Sequence, residues 1–426
     1  MRGIIKVAPL WGAVFFSCFG PNFGAYFNTY YNIDRIVKRI ERLESLGDTL
    51  LAKPLYDSLE TKCAYLIKYY PNSKYLPDAV FYLGLAFSRK GQYEKAIQKF
   101  REFLEFFPNH PLSNRAKLEL GRVYALDPRY TDLSISVLKD VKSDEAYYWM
   151  AYSYYQIGDY NSAQVYFEKL NIKEKPNKAK RYIPLGLDIY IKANKADRAQ
   201  ELLKIYLSLN LLPSEKKLAE EKKGDILFST NRIKEAIEVY NSLDYPPRGS
   251  DDGRLKFKLG KAYMLLGDTS KALENYEICY SSSAYEKWEC GYEAAGIYIL
   301  KGDYDKAARF YDGIYTQGGG EWRSKAFIKK LVLDEWRHLK GKDDPKSTYR
   351  KAEIYYFHLN STDTAMAIWK NLSKSSDKEI SIKSALALIY AYSQKGEKDS
   401  AENVYRTIRH EVKDTFLINW IRSIIH

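Results

Sequence analysis

Reactive side chains are few in this chain, and their spacing limits what they could do. The four cysteines are Cys18, Cys63, Cys279 and Cys290. Cys18 follows a short basic start (Arg2, Lys6), an apolar run from Val7 to Phe16, and the small residue Ser17. That order has the shape of an export signal. The run is too short for a membrane-spanning helix, which needs about 20 residues, and Pro9 would interrupt one. An apolar segment packed on the first helices is the other reading. Cys63 falls in mid-helix and reads as a small apolar core residue. Cys279 and Cys290 belong to consecutive helical stretches and could face each other, either bonded in an oxidising compartment or as two buried thiols. The five histidines (His110, His338, His358, His410, His426) show no ligand spacing, so no metal site is expected. Gly318-Gly319-Gly320 leads into Glu321-Trp322-Arg323, which is not a phosphate loop. No Gly-x-Ser-x-Gly elbow occurs, and no cysteine has a plausible activating histidine. The expectation is a non-enzymatic protein without cofactor or small-molecule substrate.

Composition points to surfaces rather than chemistry. Of the residues, 46% are hydrophobic and 15% aromatic, with 39 Tyr against 18 Phe. Tyrosine at that density suits half-buried positions, the ring packed and the hydroxyl wet. The net charge is +13, but the basic residues are scattered. Their densest run, Lys173 to Arg181, falls in a predicted turn without interleaved aromatics, so no nucleic-acid partner is expected.

What must position these side chains is helical. Between Pro77 and Pro111 the apolar residues Val80, Leu83 and Phe87, then Ala96, Phe100 and Phe103, fall three and four apart in two runs. The polar break Arg89-Lys90-Gly91-Gln92 separates them. Gly84 lies inside the first helix, where it costs about 1 kcal/mol relative to Ala, and is expected to let the second helix approach at Ala96, with Tyr93 and Phe100 closing over the contact. In phase, Val80, Leu83, Gly84, Phe87, Gly91, Tyr93, Ala96, Phe100 and Pro108 resemble the tetratricopeptide repeat. The resemblance implies an all-α fold, a right-handed α-solenoid of about nine to ten such helix pairs.

The remaining chain can be divided on that pattern. Residues 1–18 read as the signal and 19–33 as a tether; the repeat array occupies 34–316, opening with helices at about Asp34–Leu46 and Thr49–Tyr69. Small residues expected to pack helix on helix are Gly84, Gly121, Ala151, Gly186, Gly224, Gly260 and Ala295 in first helices, with Ala96, Ala163, Ala236, Ala272 and Ala307 in second ones. A poor second helix is expected near Ser134–Val141. Residues 317–346 read as an insertion or bend containing a longer helix, about Glu321–Leu339; 347–415 carry the C-terminal repeats. Residues 416–426 read as a cap on the last repeat, or else a partner-binding tail.

In the repeat's phase, the inward side of the first helices carries Phe81, Tyr148, Tyr152, Tyr155, Tyr190, Phe228, Phe257, Tyr292 and Tyr390. Rigid aromatics suit a groove that binds other proteins, although any one of them could instead pack between repeats. The end of the signal resembles that of bacterial lipoproteins, in which the cysteine after a small residue, here Cys18, is lipidated. The words Tyr70-Pro71-Asn72-Ser73, Phe81-Tyr82-Leu83-Gly84, Gly91-Gln92-Tyr93 and Phe107-Pro108-Asn109-His110-Pro111 resemble the BamD-type outer-membrane assembly lipoprotein and the periplasmic repeat protein of the Tol–Pal system. That resemblance implies a lipid-anchored scaffold on the periplasmic face of the outer membrane, binding other proteins. A soluble cytoplasmic adaptor is the alternative.

Overall fold

The computed structural model describes residues 21–45, 49–174, 176 and 180–425, and no strand occurs among them. Cys18 lies outside the described residues. Two compact units divide the chain, Met1–Thr230 and Asn231–His426.

In the first unit helices pair in sequence: Tyr31–Ser45 with Thr49–Tyr69, Leu76–Arg89 with Tyr93–Phe106, Ser113–Ala125 with Thr131–Leu138, Asp144–Gln156 with Tyr160–Glu168, and Ile183–Lys192 with Ala196–Leu207, before Pro213–Ser229. Each helix packs on the next, and first helices also touch the first helices that follow, as 76–89 touches 113–125 and 183–192 touches 213–229. That layering is the α-solenoid order, in which each pair covers the apolar face of its neighbour. Where the turn inside a pair is tight, a left-handed residue ends the first helix: Gly91 takes it at φ 75, and Asn194 fills the same role at φ 56. Where a tether was expected, Pro21–Ala25 is a helix and Tyr26–Tyr30 a π-helical turn running into Tyr31–Ser45. Stacking explains the order there, since the Tyr30 and Tyr75 rings lie 4.1 Å apart.

In the second unit Ile233–Asn241 precedes the pairs Ser250–Leu265 with Thr269–Tyr280 and Lys287–Leu300 with Tyr304–Gln317. The helix Gly320–Leu339 then packs on both helices of the latter pair, so residues 320–339 continue the stack. Its Ala326, Leu333, Trp336 and Leu339 share a core with Tyr311 and Ile314. Pro345–Phe357 pairs with Thr362–Leu372, and Lys378–Gln394 with Lys398–Ile408. The last helix, Thr415–Ile425, buries Ile421 against Ala385, Ala401 and Ile408, covering the end of the array as expected of a cap. Cys279, near the end of one helix, is bonded to Cys290, near the start of the next, with the Cα atoms 6.0 Å apart. Of the two readings of this pair, the bonded one holds. Cys63 is buried, as expected of a core residue.

Small residues do set the approach of helices. A β-carbon on Gly84 would stand 2.9 Å from the Phe100 ring and 3.3 Å from Lys99 Cβ. Tyr93, expected to close over this contact, is 39% exposed and does not. Gly121 is closed by Leu138 and Gly260 by Tyr276. Gly186 is closed by Phe167 of the preceding pair, so it spaces two pairs apart rather than the helices of its own. Ala96, Ala151, Ala163, Ala236, Ala272, Ala295 and Ala307 are buried, as is Gly224.

Candidate partner-binding walls

The expected groove residues divide into two sets. Phe81, Tyr190 and Phe257 are buried, Phe81 completely, and belong to the core rather than to an open wall. The reason is local: Phe81 inserts between Phe100 and Phe103 at 5.9 and 5.8 Å, and the Phe167 edge meets Tyr190 at 5.9 Å. Tyr148, Tyr152, Tyr155, Phe228, Tyr292 and Tyr390 remain half-buried.

Three of these form a row. Tyr148, Tyr152 and Tyr155 follow a helical strip of Asp144–Gln156, because four- and three-residue steps return to one face. Tyr182 extends the row, its ring 4.8 Å from Tyr148, and Arg181 lies over Tyr182 at 4.7 Å. Gln156 Nε2 donates to the Tyr152 hydroxyl at 2.8 Å, which fixes the ring's tilt. Burial, and then the carboxylate of Asp188, raise the pKa of Tyr155 above the ordinary phenol value. All three tyrosines therefore present neutral hydroxyls and flat rings near neutral pH, a surface of large contact area with few rotamers to freeze.

Beside the row lies a polar recess that the sequence pattern did not single out, lined by Glu44, Leu50, Lys53, Tyr56, Arg89, Arg115, Leu118, Glu119, Glu145 and Arg181. Arg89 is its anchor. It donates to Glu119 through two nitrogens at 2.9 and 2.8 Å and to Glu44 at 3.1 Å. Arg122 adds a bond to Glu119 at 2.9 Å. Burial alone would raise the Glu119 pKa, but Arg89 and Arg122 outweigh it and hold the carboxyl at about 2. Each residue is ordinary in the sequence; only packing of separate helices assembles the network.

In the second unit a comparable wall runs over Lys287–Leu300. Tyr292 meets Trp322 at 5.7 Å, and Lys325 lies over Trp322 at 4.3 Å. Lys261 reaches across to Glu289 at 3.2 Å while its ammonium sits 4.1 Å from the Phe257 centroid. Tyr390 lies farther along, 6.3 Å from Tyr356. No group of three or more His, Cys, Asp or Glu able to hold a metal occurs among the described residues. No described helix is long and apolar enough to cross a membrane.

Three stretches match family models described as tetratricopeptide repeat: residues 77–110, 145–172 and 187–252. The chain carries tetratricopeptide repeats. The first matched stretch is the pair around Gly84 and Phe100, and the second carries the tyrosine row. Tetratricopeptide repeats make protein-binding scaffolds, and these matches indicate no catalytic family. A TPR repeat-containing protein of Methanocaldococcus jannaschii is 24% identical over 384 residues, 87% of this chain. The chain spans 58% of that relative's length. Among solved structures, a tetratricopeptide repeat protein from Parabacteroides merdae is similar with a TM-score of 0.47 at 15% identity, covering 60% of this chain and 98% of that one. The human IFIT1 dimer with m7Gppp-AAAA gives 0.45 at 17% identity, covering 78% of this chain and 79% of that one.

Proposed function

We propose that this chain is a lipid-anchored scaffold of the bacterial envelope that holds other proteins on its aromatic walls. One observation carries the binding role: Tyr148, Tyr152 and Tyr155 stand half-buried in one row, with the buried Tyr182 ring tilted against Tyr148. Aromatic rings that only packed repeats together would be covered, as Phe81 and Tyr190 are. Two features support export. Cys18 follows an apolar run and a small residue, the setting in which a signal is removed and the new N-terminal cysteine carries lipid. The bond between Cys279 and Cys290 suits an oxidising compartment such as the periplasm. The periplasmic face of the outer membrane, and a part in barrel assembly, are the finer reading that the Tyr-Pro-Asn and Phe-Pro-Asn words support.

The test is a pull-down from detergent-solubilised envelopes with the intact protein. Recovery of barrel-assembly components is the expected result. Recovery of cytosolic proteins alone would replace this reading with that of a cytoplasmic adaptor.

A further inference from the structure

Glu289, Glu293 and Gly296 follow one strip of the helix Lys287–Leu300. Gly296 lies in mid-helix, where glycine costs about 1 kcal/mol relative to alanine. Neighbouring small residues are explained by packing, as Gly291 is by the Tyr280 ring. Gly296 is not: a β-carbon there would meet no atom within 4 Å. No described residue uses the space that the missing side chain leaves, and bare backbone at an open helical position admits the close approach of another molecule.

One turn earlier stands Glu293, half-buried and without a hydrogen bond or ion pair among the described residues. Its neighbours on the wall are matched, Glu289 with Lys261 at 3.2 Å and Glu321 with Lys325 at 2.7 Å. Burial first, then the like charge of Glu289, raise the Glu293 pKa above the ordinary carboxylate value, while Lys261 draws it down. A second cation would relieve both penalties. The Tyr292 hydroxyl lies within electrostatic reach of this carboxylate and the Tyr292 ring meets Trp322 at 5.7 Å, and the wall's own lysines already rest on ring faces, Lys325 on Trp322 and Lys261 on Phe257. Ammonium or guanidinium groups are therefore the natural ligands of this surface.

We propose that a basic segment of a partner protein docks here. Its main chain crosses Gly296, a Lys or Arg head pairs with Glu293, and the aliphatic stem lies on Tyr292 and Trp322. The inference rests on the protein-binding reading and supplies the chemistry of the partner. An acidic segment is disfavoured because it would meet Glu289 and Glu293.

Fluorescence anisotropy of the full chain tests this, using a labelled peptide of alternating Lys and Leu and its Glu–Leu counterpart. The Lys peptide is expected to bind and the Glu peptide not to. Glu293→Gln should weaken the Lys peptide about tenfold, the worth of one partly buried charge-assisted bond. Gly296→Gln should weaken it as much by filling the open space, while melting at or above the unsubstituted protein. Affinity for the Lys peptide unchanged from the unsubstituted protein in either variant, no binding of the Lys peptide, equal binding of the Glu peptide, or a lower melting temperature for Gly296→Gln would each overturn the site. Envelope partners retained by both variants would remove this site but leave the scaffold reading standing; loss of every partner from the unsubstituted protein would remove the scaffold reading itself.

Discussion

The Phe100 ring occupies the place a side chain at residue 84 would need, its Cε1 lying 2.9 Å from a β-carbon built on Gly84. Ala96 and Phe103 flank Phe100 on the same buried face. The distance between two helix axes is thus set by one absent methyl group.

Replacing Gly84 with Leu should therefore destabilise the first unit by about 1–3 kcal/mol through overpacking. Because coupling in a solenoid is between neighbours, hydrogen exchange should rise in 76–106 and fade within a repeat or two. Uniform loosening out to Tyr405 would contradict the layered architecture.

Gly296 predicts the opposite sign. Alanine there meets open space, so Gly296→Ala should raise stability by about 1 kcal/mol from helix propensity alone. Urea unfolding of the two glycine variants side by side measures the contrast directly.

Acid should expose the Glu119 network. The carboxyl titrates at about 2 in the fold against 4.5 in the unfolded chain, so its stabilisation is complete above about 4.5 and is lost as pH falls toward 2. The amount is on the order of 3 kcal/mol. Glu119→Gln should remove this pH dependence and lower stability at neutral pH, since Arg89 and Arg122 lose their shared counter-charge. Circular dichroism melts between pH 2 and 7 provide the readout.

Reducing the bond between Cys279 and Cys290 should lower the stability of the second unit by about 2–4 kcal/mol, the usual worth of such a link. Cys63, fully buried with its thiol pKa raised by burial, should label only after unfolding. Thiol counting by mass, before and after reduction, distinguishes the three residues.

For Cys18 the expected outcome is retention in the membrane fraction through a high-salt wash. Two or more acyl chains anchor a protein stably, whereas adhesion through a net charge of +13 would be screened away. Intact mass of the native protein should lack residues 1–17; a chain still beginning at Met1 with unmodified Cys18 would overturn the anchor.

Sequence alone determined the local order of this protein. Apolar residues three and four apart specify helices wherever they recur, and Gly91 and Pro108 mark where the chain must turn. Those signals lie within a few residues of their effect, which is why the helix around Gly84, its partner around Phe100 and the cap after Thr415 were all legible. Tertiary structure decided which side chains remain open. Phe81 and Tyr148 hold equivalent places in the repeat, yet the first is sealed between Phe100 and Phe103 while the second stays half-exposed beside Tyr182. The Phe167 that closes Gly186, the Arg89 that pairs with Glu119 and the Cys290 bonded to Cys279 come from other helices, and nothing in the spacing of one helix encodes what its neighbour presents. Periodicity fixes the face of a helix; only packing fixes what that face meets.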